Sequence, residues 1–176
     1  MSSINYQPGA MLSLLEQALK DLPVLLSQES NWNGAHITRK AELLGVRTRY
    51  KGGFIYLDRI LPCAPEEAVM HPHDWLAAFY IVDGSYALTI GQSEDNMHEP
   101  TSTETTIIGP GNSTYEMWHP NQWHKVVPLG GLVHSVVVRG PSLVSMSPEN
   151  LKYVEPLAPS TKDELLDFFI TRFPHR

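Results

Sequence analysis

The sequence predicts a mainly β domain with a helix at each end. Three observations carry this. An apolar stripe at helical spacing stands near the start, and a second one near the end. Between them, short β-branched and aromatic runs recur, split by Gly, Pro and Asp. The 176 residues are expected to form one domain, 1–176, large enough to bury a core without disulfide staples.

From Pro8, the residues Met11, Leu14, Leu15, Ala18, Leu19 and Leu22 line one side of a helix expected over 9–22. Pro23 is expected to end it or to open a short turn. The polar, turn-rich stretch 28–36 reads as a loop. A β-core is expected over about 36–145, with strands near 46–50, 53–61, 76–84, 85–91, 104–109, 113–119, 124–128 and 132–140. Asp83-Gly84, flanked by apolar runs, signals a hairpin, and 109–111 and 128–131 are further turns. Strands this short and numerous predict an antiparallel sandwich or barrel rather than βαβ units. Segments 65–68 and 93–103 read as loops, the second long enough to flank an opening. Near the end, Thr161 with Glu164 forms a capping box. Leu165, Leu166, Phe169, Ile170 and Phe173 then make the stripe of a helix over about 161–173 that docks on the β-core.

Composition excludes several classes. At 42% hydrophobic and 18% charged, the chain is neither disordered nor membrane-like. No apolar run approaches the roughly 20 residues of a spanning helix, and the first residues lack the basic and apolar regions of a secretory signal. The single cysteine, Cys63, allows no internal disulfide and fits a reducing compartment, so a cytoplasmic setting is expected. Cys63 itself lies in the loop "LPCAP" and is read as inert. Net charge is −6, and the basic residues are scattered or in short groups such as "RTRYK" (47–51). Phosphate-backbone binding needs a concentrated basic face, so neither nucleic acid nor a membrane is an expected partner. A small molecule is.

Chemistry concentrates in the histidines, of which there are eight. In "HPHDW" (71–75), His71 and His73 sit at i and i+2 and point to one face of a strand, so both imidazoles can converge on a point. Trp75, Ala77, Phe79 and Ile81 continue the same parity and are core-type residues, which argues that the pair looks inward. Asp74 falls on the other parity and Asp83 stands at the far end of the strand, beside Gly84, so the strand offers no inward carboxylate next to the pair. A metal site needs a third ligand. His124, opening a strand after a turn, is one candidate, and His119 and His134 are its alternatives. Trp75, Tyr80, Trp123 and His134 are candidates to wall a substrate pocket. Tyr80, Tyr86, Glu116 or His134 could accept hydrogen bonds from the ligands' other ring nitrogens. Arg47, Arg49, Arg59 and Arg139 are candidates to hold a substrate carboxylate.

The order of these pieces resembles the cupin superfamily. His-x-His on one strand, a glycine eleven residues on, a long loop, then a proline-led turn with a histidine opening the next strand appear in 71–84 and 109–127. The first cupin motif has a Glu four residues after its second His; here that place is Ala77. The remaining three-histidine set resembles the thiol dioxygenase branch, cysteine dioxygenase among them, and 123–141 is similar to that branch's strand, turn and following strand. The branch's Ser-x-His-x-Tyr reads here His134-Ser135-Val136-Val137-Val138, without the tyrosine, and Pro120 lies one residue closer to His124 than the usual spacing. The resemblance implies a single antiparallel β-barrel or jelly roll with His71, His73 and His124 holding Fe(II), or else Zn(II), Ni(II) or Mn(II). It implies O₂-dependent oxidation of a small anionic or thiol substrate bound to the metal, and a homodimer. Three neutral imidazoles leave the full +2 charge on the metal, which favours an anionic co-ligand. The alternatives are a metal-dependent lyase, isomerase or hydrolase, and a non-catalytic ligand-binding cupin, to which the missing carboxylate at Ala77 points.

Overall fold

The structure is a computed structural model and describes residues 7–37, 43–73, 75–94, 97–119, 121–142 and 154–175. The expected facing of Asp74, the proline leading the turn at 120 and the last residues of the expected β-core (143–145) lie outside these residues. Helix α1 (Ala10–Leu26) is followed by β1 (Asn33–Ile37), β2 (Leu43–Tyr50), β3 (Gly53–Ile60), β4 (His71–Pro72), β5 (Trp75–Asp83) and β6 (Tyr86–Gln92). Then come β7 (Thr103–Ile108), β8 (Thr114–Met117), β9 (Gln122–Pro128), β10 (Val133–Ser142), β11 (Val154–Pro156) and helix α2 (Pro159–Arg172).

The strands form two antiparallel sheets that do not close into a barrel, which corrects the single-barrel expectation. One has the order β11-β1-β2-β3-β10-β5-β8, the other β4-β9-β6-β7. The chain crosses between them repeatedly, at residue 73, at 84–85, between β7 and β8, and on either side of β9. Asp83-Gly84 therefore does not turn a hairpin. Gly84 has φ +79° and lies so close to the Leu132 carbonyl that a Cβ would run into it, and the chain passes there from β5 in the large sheet to β6 in the small one. The tight hairpin is instead at Lys51-Gly52, with φ 45° and 84°, joining β2 to β3.

Residue parity along β3, β5 and β10 shows what the large sheet separates. Leu76, Ala78, Ile55, Leu57, Val136 and Val138 pack with Leu15, Ala18, Leu22, Leu165 and Phe169 from the helices. On the opposite face Ile60, Ile81 and Val133 pack with Tyr86, Leu88 and Ile108 of the small sheet. Around β3, β5 and β10 the large sheet is thus buried on both faces, and each fully buried aliphatic or aromatic side chain stabilises by about 1.5–3 kcal/mol.

Both helices depart from their expected bounds for identifiable reasons. Pro23 lies inside α1 rather than ending it. An interior proline costs about 3 kcal/mol, but continuing one more turn buries Leu26 and brings the Leu25 carbonyl to the indole N–H of Trp32 at 3.1 Å. Helix α2 starts two residues early because Pro159 takes its first turn, with Ala158 at the N-cap. Thr161 is then inside the helix and makes no cap, while Glu164 reaches Arg59 at 3.8 Å. The stretch 28–36, read as a loop, contains β1, whose ladder with β2 and β11 is backbone pairing that Asn33, Gly34 and Ala35 do not announce.

Glu116, on the helix side of β8, caps α1 from another part of the chain. Its carboxylate accepts hydrogen bonds from the backbone N–H of Gly9 and, at 3.2 Å, of Leu12. These are donors no intrahelical carbonyl can reach, and the negative charge suits the helix N-terminus. Glu116→Ala should therefore lower stability by about 1 kcal/mol. Urea unfolding should show this as a lower midpoint with an unchanged slope, and an unchanged midpoint would deny the cap.

Candidate metal centre

Strand β4 is only His71 and Pro72, and it pairs with β9 so that His71 lies opposite His124 and Pro72 opposite Trp123. The backbone N–H of His73 then donates to the Gln122 carbonyl at 3.1 Å, carrying the pairing one residue further before the chain crosses to β5. The expected single strand through His71, His73 and Trp75 is thus a two-residue strand and a nine-residue one in different sheets, and the inward parity survives the crossing. His73 is 5% exposed, with its ring 5.3 Å from that of Trp75 and 5.6 Å from that of Phe79.

Three imidazoles meet between the sheets. His73 Nε2 is 3.1 Å from His124 Nε2, which is 3.0 Å from His71 Nε2. All three ligand atoms lie within 4.8 Å of one another. Nδ1 of His71 is 2.9 Å from the Val69 carbonyl and Nδ1 of His73 is 3.3 Å from the Trp75 carbonyl. A carbonyl can only accept, so each Nδ1 carries the proton and each Nε2 presents a lone pair. Both short contacts run to His124 Nε2: with its proton there the ring donates to its neighbours, and with the proton on Nδ1 three lone pairs converge, an arrangement that calls for a cation between them.

A divalent metal fits that requirement. With metal–nitrogen bonds of about 2.1 Å, ligands at right angles stand about 3.0 Å apart and tetrahedral ones about 3.4 Å. The two separations to His124 match ligands at right angles, an arrangement in which open positions remain for other ligands. The carbonyls of Val69 and Trp75 fix the ring tautomers in the manner usual for histidines that ligate metals.

The other sequence candidates are distributed as follows. Trp75 is beside the triad. Trp123 is buried but projects from the opposite face of β9 to His124, since neighbouring residues alternate. Tyr80 packs in the cluster under the helices. His119 serves the turn before β9, where its Nδ1 accepts from Asn121 N–H at 3.3 Å. His134 lies beneath α2, stacked on Phe168 at 3.8 Å, with Arg59 Nε donating to its Nε2 at 3.1 Å. Burial, aided by the Arg59 charge, lowers its pKa to about 4 and keeps the ring neutral at pH 7. Arg59 shares that helix-side cluster, whereas Arg47, Arg49 and Arg139 fall, by register, on the face toward the small sheet.

Two residues of that interior, Tyr115 and Asp58, went unremarked in the sequence. Phe79 stacks on Tyr115 at 4.4 Å and 1°, and the Tyr86 hydroxyl donates to that of Tyr115 at 3.0 Å. Asp58, 7% exposed, lies in the same interior opposite Gly45 and Ser135. A Cβ at Gly45 would stand 2.5 Å from its Oδ1, so glycine there makes the room. Oδ1 has no hydrogen-bond partner among the described residues, and burial pushes the Asp58 pKa up to about 8. The signal existed in the alternation of Phe54, Tyr56, Asp58 and Ile60. It was hidden because the intervening Ile55 and Leu57 are also buried.

The comparisons with known proteins assign no family. Neither a protein-family model nor a curated protein matches the chain. Among solved structures, hydroxypropylphosphonic acid epoxidase from S. wedmorenis aligns with a TM-score of 0.49 and 9% identity over 64% of this chain and 56% of that one. The Fe(II) form of HppE gives 0.44 and 10%, over 55% and 50%. CapF with 3-isopropenyl-tropolone gives 0.45 and 11%, over 70% and 33%. The matched part spans about half the length of the first of these structures. No helix among the described residues is long and apolar enough to cross a membrane.

Two outcomes follow. Adding Fe(II) or Zn(II) to chelator-treated protein should raise its melting temperature, by linkage worth about 2.7 kcal/mol at a hundred times the dissociation constant. His124→Ala should abolish the rise, and an equal rise in the variant would place the metal elsewhere. For Asp58, the folded state keeps its proton up to about pH 8, whereas the unfolded chain ionises near ~4. Its contribution is fully present below about pH 4 and is lost as pH rises through about 8, at up to about 1.4 kcal/mol per pH unit. Asp58→Asn should flatten stability between pH 5 and 8 relative to the parent; parallel profiles would count against a buried proton there.

Proposed function

We propose that this chain is a metal-dependent enzyme of the cupin type, using Fe(II) and O₂ to oxidise a small substrate that binds the metal through a thiol or other anionic donor. The carrying observation is the convergence of three Nε2 atoms at 3.0 and 3.1 Å with two of their Nδ1 protons held by backbone carbonyls. The two-sheet architecture with the triad between sheets supports the cupin reading, as does the pairing of the His-x-His segment with the strand that opens near His124. The right-angle spacing of His71 and His73 to His124 favours Fe(II) over a tetrahedral Zn(II) site, with Ni(II) and Mn(II) as further candidates.

His71, His73 and His124 would hold the iron, which would supply Lewis acidity and redox chemistry toward an anionic donor and O₂. The chain's own residues do the rest. His71 and His73 are held in one tautomer each, so ligation needs no rotation of the rings. Phe79 lies 5.6 Å from His73 and 5.9 Å from His124, and with Trp75 it keeps water from that side of the triad. Ala77, fully buried between them on the same face, puts a methyl group where a fourth, charged ligand would project. With no carboxylate in the ligand set, the substrate's own anion balances the metal charge. A single domain, a cytoplasmic setting and a homodimer belong to the same proposal.

Elemental analysis of the as-purified full chain, followed by oxygen-electrode assays of the Fe(II)-loaded protein with short thiols, tests this. About one metal per chain and thiol-dependent O₂ uptake are expected, both lost in His73→Ala and His124→Ala. Bound metal without O₂ uptake would favour a lyase, isomerase or hydrolase. A metal-free parent would leave a non-catalytic ligand-binding protein.

A further inference from the structure

The chain passes between the sheets on either side of the triad, and one residue is tied to both passages. The first carries His73 from β4 in the small sheet towards β5 in the large one. The second leaves β8 of the large sheet at Met117 and enters β9 of the small sheet at Gln122, two residues before His124. Gln122 meets the first passage through its backbone, whose carbonyl accepts from the His73 N–H at 3.1 Å. It meets the second chiefly through its side chain. Its Oε1 accepts from the backbone N–H of Trp118 at 2.8 Å and of His119 at 2.9 Å, and its own N–H donates to the His119 carbonyl at 3.2 Å.

These bonds ask for a particular side chain. The N–H groups of Trp118 and His119 come just after the last ladder pair of β8, Met117 with Ala77, and both residues are half-buried. Among the described residues these two N–H groups have no other acceptor. An amide oxygen has two lone pairs and takes both at once. The β9 end of the passage is already fixed, because Gln122 opens the ladder with β6 opposite Gln92. What Oε1 adds is the other end, the tie from the small sheet back to the strand beside β5. The three imidazoles depend on that tie unequally. His71 faces His124 by direct pairing of β4 with β9, without Gln122. His73 hangs from the crossing whose N–H ends on Gln122.

We infer that Gln122 is a positioning residue of the metal centre: its side chain closes the passage from β8 to β9, and its backbone thereby holds His73 at ligand distance from His124. This role rests on the metal reading of the triad. Gln122 touches neither metal nor substrate and acts through His73. Without its side chain, His73 is the ligand that loosens first, while His71 and His124 stay paired.

The test is titration of Co(II) into the chelator-treated full chain, read by visible absorption and by competition with a chelating dye. The parent should bind about one Co(II) per chain. Gln122→Ala should bind about tenfold more weakly or worse, with the visible spectrum moved towards that of His73→Ala. Gln122→Glu keeps an oxygen that can accept both N–H groups and should restore affinity and spectrum. Glu116→Ala weakens the fold at α1 and should leave both unchanged, which separates positioning from a general loss of stability. In the metal-free chain, exchange of the His73 amide hydrogen should quicken in Gln122→Ala and not in Gln122→Glu. If Gln122→Ala does not fold, Gln122→Ser replaces it with the same expectations. Equal affinity and spectrum in the parent and Gln122→Ala, no rescue by Gln122→Glu, or an equal loss in Glu116→Ala would overturn the proposal and leave the metal reading standing. A parent that binds no Co(II) would overturn the metal reading and the positioning role with it.

Discussion

The pairing of His71 with His124 across two strands is the contact on which the candidate site depends. It is a small contact, two residues of β4 against β9, extended by one hydrogen bond from His73. Its reliability comes from β9, which is locked to β6 over seven residues. A slip of one residue in either ladder would turn His124 to the outer face and put Trp123 in its place, since side chains alternate along a strand. The long β6–β9 ladder therefore protects the register, and β4 borrows that protection. Pro72, which has no N–H to give, sits at the edge of the small sheet where the ladder asks little of it.

The second constraint is electrostatic. The inner face of the large sheet carries Arg47, Arg49 and Arg139, while its acid, Asp58, is held uncharged near neutral pH by burial. The triad adds three imidazoles, of which His71 and His73 keep their Nε2 lone pairs unprotonated through their Nδ1–H bonds. Arg47 and Arg49 are exposed at the margin of this face whereas His73 and His124 are buried, so a metal at the triad and an anionic ligand beside it would each lower the cost of placing the other. The acids that α1 and α2 engage, Glu116 and Glu164, are on the far side of the sheet, where they serve helix ends and a surface pair.

Much of this was legible residue by residue. The two helices, eight of the strands and the inward parity of His71, His73, Trp75 and Phe79 follow from periodicity, which needs only neighbours in sequence. Where the reading failed, a distant partner had outweighed a local signal. Pro23 stays inside α1 because Leu26 and Trp32 bury against the core and its end. Asp83-Gly84 carries the chain between sheets because Gly84 meets the Leu132 carbonyl. Thr161 does not cap α2 because Pro159 starts the helix first. His134, next to a run of valines, looked like a pocket residue, but both faces of β10 are buried and parity alone could not say which one held the site.

By itself, then, the sequence determined the local elements and the chemistry available, two histidines on one face with no inward acid next to them on their own strand. Only the tertiary structure decided that His124, rather than His119 or His134, completes the set, and that Arg47 and Arg139 meet at Tyr56 while Arg59 goes to α2. The physical reason is range. Periodicity tells a residue which side of its own strand it occupies, whereas the triad and the arginine pair are made by ladders joining strands some fifty to eighty residues apart. Those ladders are set by the simultaneous burial of both faces of one sheet, which no single stretch of the chain records.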